Sequence, residues 1–262
     1  WIFPSSKEPF VAKRIVTVLL ALLGALLAVA LVYVAYVMVT YERLPDNLAL
    51  TVDAPLAADE AAPVVSADEE FTVVTANLGF GAYNRDFDFF MDGGTESWAW
   101  SEERLLQNLD EIGAVIESLD SDITLLQEVD FDSTRTYHVN EADLLRNYHG
   151  LEADTDSVFA VNYDSPFLFY PFVRPHGASR SGLLTVSSLT VESALRRSLP
   201  VETGFTKLLD LDRCYSVTRI PVDNGKTLCL YDLHLSAYTS DGKIADEQLE
   251  MLLADMQQEY EN

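Results

Sequence analysis

The stretch Asp122-Ile-Thr-Leu-Leu-Gln-Glu-Val-Asp130 (DITLLQEVD) decides how the rest of the chain is read. Its unbroken apolar run has the look of a strand buried on both faces, and it ends in a carboxylate, Glu128. Upstream, FTVVTANLGFG (71–81) has the same β-branched, apolar character and runs into a glycine-containing loop, with Asn77 at the strand end. Between the two, SEERLLQNLDEIGAVIESLDSD (101–122) places Leu105, Leu109, Ile112, Ile116 and Leu119 on one helical face. Ser101 suits the N-cap, and Glu102 and Glu103 favour the positive helix start. Strand, helix and strand in succession predict an α/β layered domain.

The second half is richer in strands. GLLTVSSLTV (182–191) reads as one, and CYSVTRIPV with TLCLYDLHLS reads as a hairpin across Asp223-Asn224-Gly225. With Asn224 and Gly225 as a two-residue turn, Cys229 faces Ile220 and Cys214 faces Leu235. That offset separates the two thiols by roughly 20 Å, so both are expected to be free. A last helix is predicted near Asp246–Tyr260, with Leu249, Leu252, Leu253, Met256 and Tyr260 at helical spacing.

The chain has 262 residues, 48% of them hydrophobic, and a net charge of −25 from 17 Lys+Arg against 42 Asp+Glu. A surface that acidic lacks the basic footprint of nucleic-acid binding. The charge is unevenly divided. Residues 1–41 hold Lys7, Lys13 and Arg14 against Glu8, a balance of +2, so residues 42–262 carry −27. From Ile15 to Tyr41 the only ionisable side chains are tyrosines, and the segment exceeds the roughly 20 apolar residues that cross a bilayer. A cleaved signal peptide competes with this reading, because Ala28-Val29-Ala30 is a small-x-small triplet, but the apolar sequence runs well past it.

The expected organisation is a cytoplasmic segment (1–14), a transmembrane helix (15–41), an acidic Ala/Pro tether (42–70) and a folded domain (71–262). Lys13 and Arg14 ahead of the apolar run predict a cytoplasmic N-terminus, a single pass through the cell membrane and an extracellular domain. The tether composition, with Pro45, Pro55 and Pro63, is of a kind that does not fold alone.

Polar residues at the ends of apolar strands carry the chemistry. Singly, Asn77 suits a turn, Glu128 a solvated strand terminus and His234 a satisfied core histidine. Together, TANLGFG, LLQEVD, SGLLTVSS and HLSAY, in that order, resemble the endonuclease/exonuclease/phosphatase superfamily, metal-dependent phosphoesterases of the deoxyribonuclease I-like fold. GFGAYNRDFDFFMDGG (79–94) and DSTRTYHVNE (132–141) are similar to stretches of its membrane-anchored bacterial members. The resemblance spans Phe71 to Asn262 and implies a layered β-sandwich flanked by helices.

The same resemblance implies that Glu128 ligates Mg²⁺ (or Mn²⁺), that Asn77 sits beside the metal and scissile phosphate, and that His234 stabilises charge developing on the phosphate. Arg135, Tyr137, Arg180 and Arg213 are candidates for gripping an anionic substrate, each equally suited to structural ion pairing. Asp232, two residues before His234 on the same strand face, is a candidate orienting partner. His138, His149 and His176 read as ordinary loop histidines.

The family's Gly-Asp-x-Asn segment and closing Asp-His pair do not occur in these residues. The resemblance therefore implies a sandwich incomplete at its C-terminus, and a stretch that is inactive without them. The expected function is a membrane-anchored, outward-facing phosphoesterase acting on a small ester or a phospholipid headgroup. Its expected partners are that substrate and, through residues 15–41, the bilayer, with no protein partner. Nucleic acid is disfavoured by charge. A non-catalytic surface-binding module and a nuclease remain the alternatives.

Overall fold

A computed structural model describes residues 8–41, 43–53, 64–147, 155–202, 212–236 and 242–261, in two compact units, Trp1–Glu42 and Arg43–Asn262. The first unit is one helix, α1 (Glu8–Thr40), in which Val11–Thr40 is long and apolar enough to cross a membrane. Its 33 residues rise roughly 50 Å against a hydrocarbon core of about 30 Å.

Among its described residues the second unit has nine strands: β1 (Leu48–Leu50), β2 (Val52–Asp53), β3 (Val73–Asn77), β4 (Ile123–Ser133), β5 (Asp156–Leu168), β6 (Gly177–Ser187), β7 (Ser193–Ser198), β8 (Cys214–Pro221) and β9 (Thr227–Leu233). Its helices are α2 (Glu102–Ser118), α3 (Glu141–Asn147) and α4 (Lys243–Glu261). The strands form a five-stranded sheet, β2-β5-β6-β4-β3, and a four-stranded sheet, β1-β7-β8-β9. This is the expected α/β sandwich.

Side-chain alternation along β4 shows why its sequence is apolar throughout. Ile123 and Leu125 pack with Val158, Ala194 and Ile220 between the sheets, while Leu126 and Val129 pack with Ile116 of α2 and Ala142 and Leu145 of α3. β3 and β4 run parallel, joined through α2, whose Leu105, Leu109 and Ile116 are buried and whose N-cap Ser101 accepts from the Arg104 amide. On the outer face of the smaller sheet, Tyr215 and Val217 pack with Leu252 of α4.

Three expectations are corrected. The folded unit begins at Arg43, not Phe71. Within the supposed tether, Leu48–Leu50 pairs with β7, Val52–Asp53 pairs with β5, and Val65 bridges Val222. Short edge strands need little hydrophobic sequence, so an Ala/Pro-rich composition concealed them. The hairpin register is off by one: Cys229 faces Arg219, because Asp223, Asn224 and Gly225 form a three-residue turn with Gly225 at φ 80°. Both thiols are nonetheless free, and burial pushes Cys214 up to about 12, an inert thiol.

The third correction concerns α4. Leu249, Leu253, Met256 and Tyr260 are exposed, and the face turned inward is largely polar. Gln248 is buried and donates to the Pro200 carbonyl, Asp255 meets Arg197 and Tyr215, and Glu259 meets Arg219. β5 and β7 lay outside the sequence reading, and the strand expected at 182–191 ends at Ser187.

Gly182 of β6 lies opposite Val129 and Val161, where a Cβ would come within 2.5 Å of the Ala160 carbonyl oxygen. Gly182→Ala is expected to cost about 2–3 kcal/mol, read as a lowered thermal midpoint of the full chain in detergent.

Candidate functional site

The C-terminal end of β4 is shaped by a bulge. Its register against β6 jumps between Leu126 and Val129, and Glu128 in the extra length has φ 54°, an uncommon conformation for a non-glycine residue. The bulge turns Glu128 out of strict alternation. The Asn77 Nδ2, at the end of neighbouring β3, donates to Glu128 Oε1 at 2.9 Å, and Asn77 Oδ1 accepts from the Gly79 amide.

His234 comes from the other sheet, one residue past β9. Its Nε2 lies 3.3 Å from Glu128 Oε1, and its Nδ1 lies 2.8 Å from Arg213 Nη1, just before β8. A guanidinium only donates, so Nδ1 must accept and the ring proton resides on Nε2, the nitrogen nearer Glu128. Burial, then Arg213 and Arg135, push the His234 pKa down to about 3, so the ring is a neutral donor. Asn77 is thus hydrogen-bonded to Glu128 and Arg213 to His234, and the two pairs meet where Glu128 Oε1 lies 3.3 Å from His234 Nε2, across the ends of both sheets.

Glu128, His234 and Arg213 open onto a cleft of about 540 Å³, its open mouth included. Phe80, Tyr83, Phe89 and Met91 form an apolar wall, and Arg135, Asn162, Tyr163, His176 and Ser181 supply the rest. Sequence reasoning missed Asn162, Tyr163 and Phe80, and it misplaced His176. That residue is buried in the cleft lining, and burial and Arg135 push its pKa down to about 3. Among the described residues the buried amide nitrogen Nδ2 of Asn162 has no hydrogen-bond partner, which leaves a donor for a ligand oxygen. The weak alternation of β5 gave no sequence signal for these residues.

The other predicted residues separate. Arg135 lines the cleft, but its Nε and Nη2 both donate to the buried Asp130 at 2.8 Å and its guanidinium lies 3.9 Å from the Phe80 ring centroid. Tyr137 lies away from the cleft, donating to the Ala99 carbonyl and accepting from Arg174. Arg180 pairs with Asp164 and lies over Phe131, also away from the cleft. Asp232 accepts from Gln127 at 2.6 Å. Strand alternation failed as a guide there because His234 lies beyond the strand end, and Arg213 is the residue that orients its ring. His138 pairs with Asp132 on the surface, and His149 lies outside the described residues.

Among the described residues no three His, Cys, Asp or Glu side chains converge as a metal cage. The oxygen donors present are the Glu128 carboxylate and the Asn77 amide. Mg²⁺ retains several waters and takes one or two carboxylates beside substrate phosphates, so this set fits it as a partial site.

The fold and this cleft define a layered α/β protein with a polar site at the joined sheet ends. No protein family and no curated protein matches the chain by sequence. Solved structures similar to it include an endonuclease/exonuclease/phosphatase from Beutenbergia cavernae DSM 12333 (19% identity, TM-score 0.49, 70% of this chain and 43% of that one). An endonuclease/exonuclease/phosphatase family protein from Leptotrichia buccalis C-1013-b is also similar (15%, 0.43, 70% and 63%). So is ANGEL2, a 2′,3′-cyclic phosphatase (16%, 0.46, 80% and 50%). The chain spans less than two thirds of the length of each.

Two outcomes are expected from this geometry. His176 is held neutral, so its ¹⁵N resonances should stay those of an unprotonated ring from pH 8 to pH 5. Because its folded pKa lies below the unfolded 6.5, its contribution to stability is present above pH 6.5 and lost towards pH 3, by up to about 1.4 kcal/mol per pH unit. Arg135→Ala strands Asp130, which is 0% exposed, and should cost about 3–5 kcal/mol in denaturant titration.

Proposed function

We propose that the protein is a membrane-anchored, outward-facing, metal-dependent phosphoesterase acting on a small phosphate ester or a phospholipid headgroup. The observation that carries this reading is the meeting of two hydrogen-bonded pairs, Asn77–Glu128 and Arg213–His234, with Glu128 Oε1 3.3 Å from His234 Nε2, beside the cleft that Glu128, His234 and Arg213 line. It sets a carboxylate for a hard cation beside a neutral donor for a phosphate oxygen.

In this reading Glu128 and Asn77 hold Mg²⁺ or Mn²⁺, which when bound polarises a phosphoryl oxygen as a Lewis acid. The His234 Nε2–H donates to a non-bridging phosphate oxygen on which charge grows as water attacks in line with the leaving group. Arg213 keeps that proton on Nε2 by donating to Nδ1. The Asn162 amide offers a second donor from the cleft floor. Phe80, Tyr83 and Phe89 narrow the opening and exclude water on one side.

Charge supports a small substrate. A domain carrying −27 repels a polynucleotide, whose binding draws on several Lys and Arg contacts. Within the cleft, the guanidiniums of Arg135 and Arg213 face an anion locally. The outward orientation rests on Lys13 and Arg14 preceding the apolar segment. The one-carboxylate donor set favours a second reading, a module that binds phosphate esters without hydrolysing them.

Phosphate release by the full-length protein in phospholipid nanodiscs separates the two. Hydrolysis should require Mg²⁺ and be abolished by EDTA. Glu128→Gln and His234→Ala should each lower kcat by about 10²–10³-fold, and Arg213→Gln by about 10–100-fold. Hydrolysis that survives both EDTA and Glu128→Gln would overturn the metal-dependent reading. Phosphate-ester binding without turnover would favour the module.

A further inference from the structure

The turn joining β5 to β6 presents an exposed apolar surface. Phe169 is 51% exposed, Tyr170 62%, Phe172 76% and Val173 100%. Single exposed apolar residues are ordinary, but a contiguous group of large ones marks an interaction site.

This exposure is built in, because the base of the turn is pinned. Ser97 Oγ donates to the Arg174 carbonyl at 2.6 Å, and Trp98 Nε1 donates to the Pro175 carbonyl at 2.7 Å. The Arg174 guanidinium lies 4.7 Å from the Trp98 ring centroid and donates to the Tyr137 hydroxyl at 2.8 Å. The His176 amide closes the turn by donating to the Tyr170 carbonyl. At the tip, Tyr170 and Phe172 stack edge to face, with centroids 5.7 Å apart. A tip held this way gains little by folding back.

The turn is also next to the cleft. Tyr170 packs on Phe90 (5.9 Å), Phe90 packs on His176 (5.7 Å), and His176 lines the cleft.

We propose that residues 169–173 insert into the interfacial layer of a zwitterionic lipid bilayer and seat the mouth of the cleft at headgroup level. Three observations favour lipid over a protein partner. The same chain carries Val11–Thr40, a helix long and apolar enough to cross a membrane, which would keep this unit near a bilayer surface. Phe and Tyr at a protruding tip are the residue types that partition to the water–hydrocarbon boundary. The charge selects the lipid: residues 42–262 carry −27 and the turn's own cation, Arg174, is engaged with Trp98, so attraction to anionic lipid is absent and apolar burial is the driving term.

Insertion does not depend on the phosphoesterase reading. Where that reading holds, a lipid-seated cleft narrows its substrate to a phospholipid headgroup.

The test uses the full chain in phosphatidylcholine nanodiscs, with Cys229→Ser throughout and Cys214 left buried. A fluorophore is attached at Val173→Cys or, as a control, at Leu119→Cys, the C-cap just past α2, where the native side chain is 51% exposed. Lipid with brominated acyl chains should quench the 173 label at least about twofold more than the 119 label, with iodide in the water showing the reverse order. Tyr170→Asp with Phe172→Asp should return the 173 label to iodide. Equal iodide access at both positions would overturn the proposal. So would protection of the 173 label from both quenchers, which would indicate a protein cover such as a second copy, or insertion only when phosphatidylserine is added. None of these readouts requires hydrolysis, so the two readings fail independently.

Discussion

The buried pair between Asp130 and Arg135 is the constraint on which the site depends. Asp130 is fully buried, and both its oxygens accept from Arg135 in a fork at 2.8 Å. Such a pair costs solvation energy and is kept only where its geometry is good and its remaining capacity is satisfied. Here Thr136 donates a further bond to Asp130, and the Asp130 amide donates to Glu141 at the start of α3. Burial and the Asp130 charge hold the Glu141 acid well above the usual carboxylate range, which avoids a second anion beside the first. The guanidinium also caps the Phe80 ring, so the segment after β3 and the turn after β4 are locked to the same group. The β4 bulge lies between these anchors, and Glu128 keeps its positive φ because its surroundings determine it from both sides.

The two sheets meet here through paired contacts. Gln127 donates across to Asp232, and one residue past Gln127 the Glu128 carboxylate lies 3.3 Å from Nε2 of His234, two residues past Asp232. Burial raises Asp232 to about 7, against the Gln127 amide that donates to it and ties the two sheets together. The catalytic candidates therefore stand on rigid sheet ends rather than on loops. This is how residues 51 and 106 positions apart from Asn77 and Glu128 respectively come within hydrogen-bonding reach in a fixed tautomer.

Much of this was legible in the sequence where a local rule and the tertiary environment agree. Apolar runs of strand length, Ser101 as an N-cap, and polar residues at strand ends located β3, α2 and β4 together with Asn77, Glu128 and His234. The rest was hidden by particular causes. Asn-Gly permits both two- and three-residue turns, and choosing between them shifts every pair in the hairpin by one. Edge strands β1 and β2 are too short to rise above an Ala/Pro background. Asp255 and Glu259 of α4 face inward because Arg197 and Arg219 of β7 and β8 meet them, and helical periodicity carries no information about such partners. Asn162 and His176 enter the cleft through the pairing of β5 with β6, a long-range contact with no local signature.

The charge of the domain acts differently at two distances. Beyond roughly 10 Å, screened repulsion from −27 opposes the approach of any polyanion and slows its encounter. Inside the cleft the local groups decide: the Arg213 guanidinium, an Arg135 guanidinium already paired with Asp130, neutral imidazoles at 176 and 234, and an Asn162 donor unpartnered among the described residues lie around the Glu128 carboxylate. For the proposed phosphate ester this combination discriminates by net charge. A zwitterionic headgroup carries its phosphate beside a compensating cation and meets little long-range repulsion. A polynucleotide meets it at every phosphate. The same logic accounts for the exposed apolar side chains of the turn between β5 and β6: on so acidic a surface, apolar burial is the remaining attraction towards a bilayer.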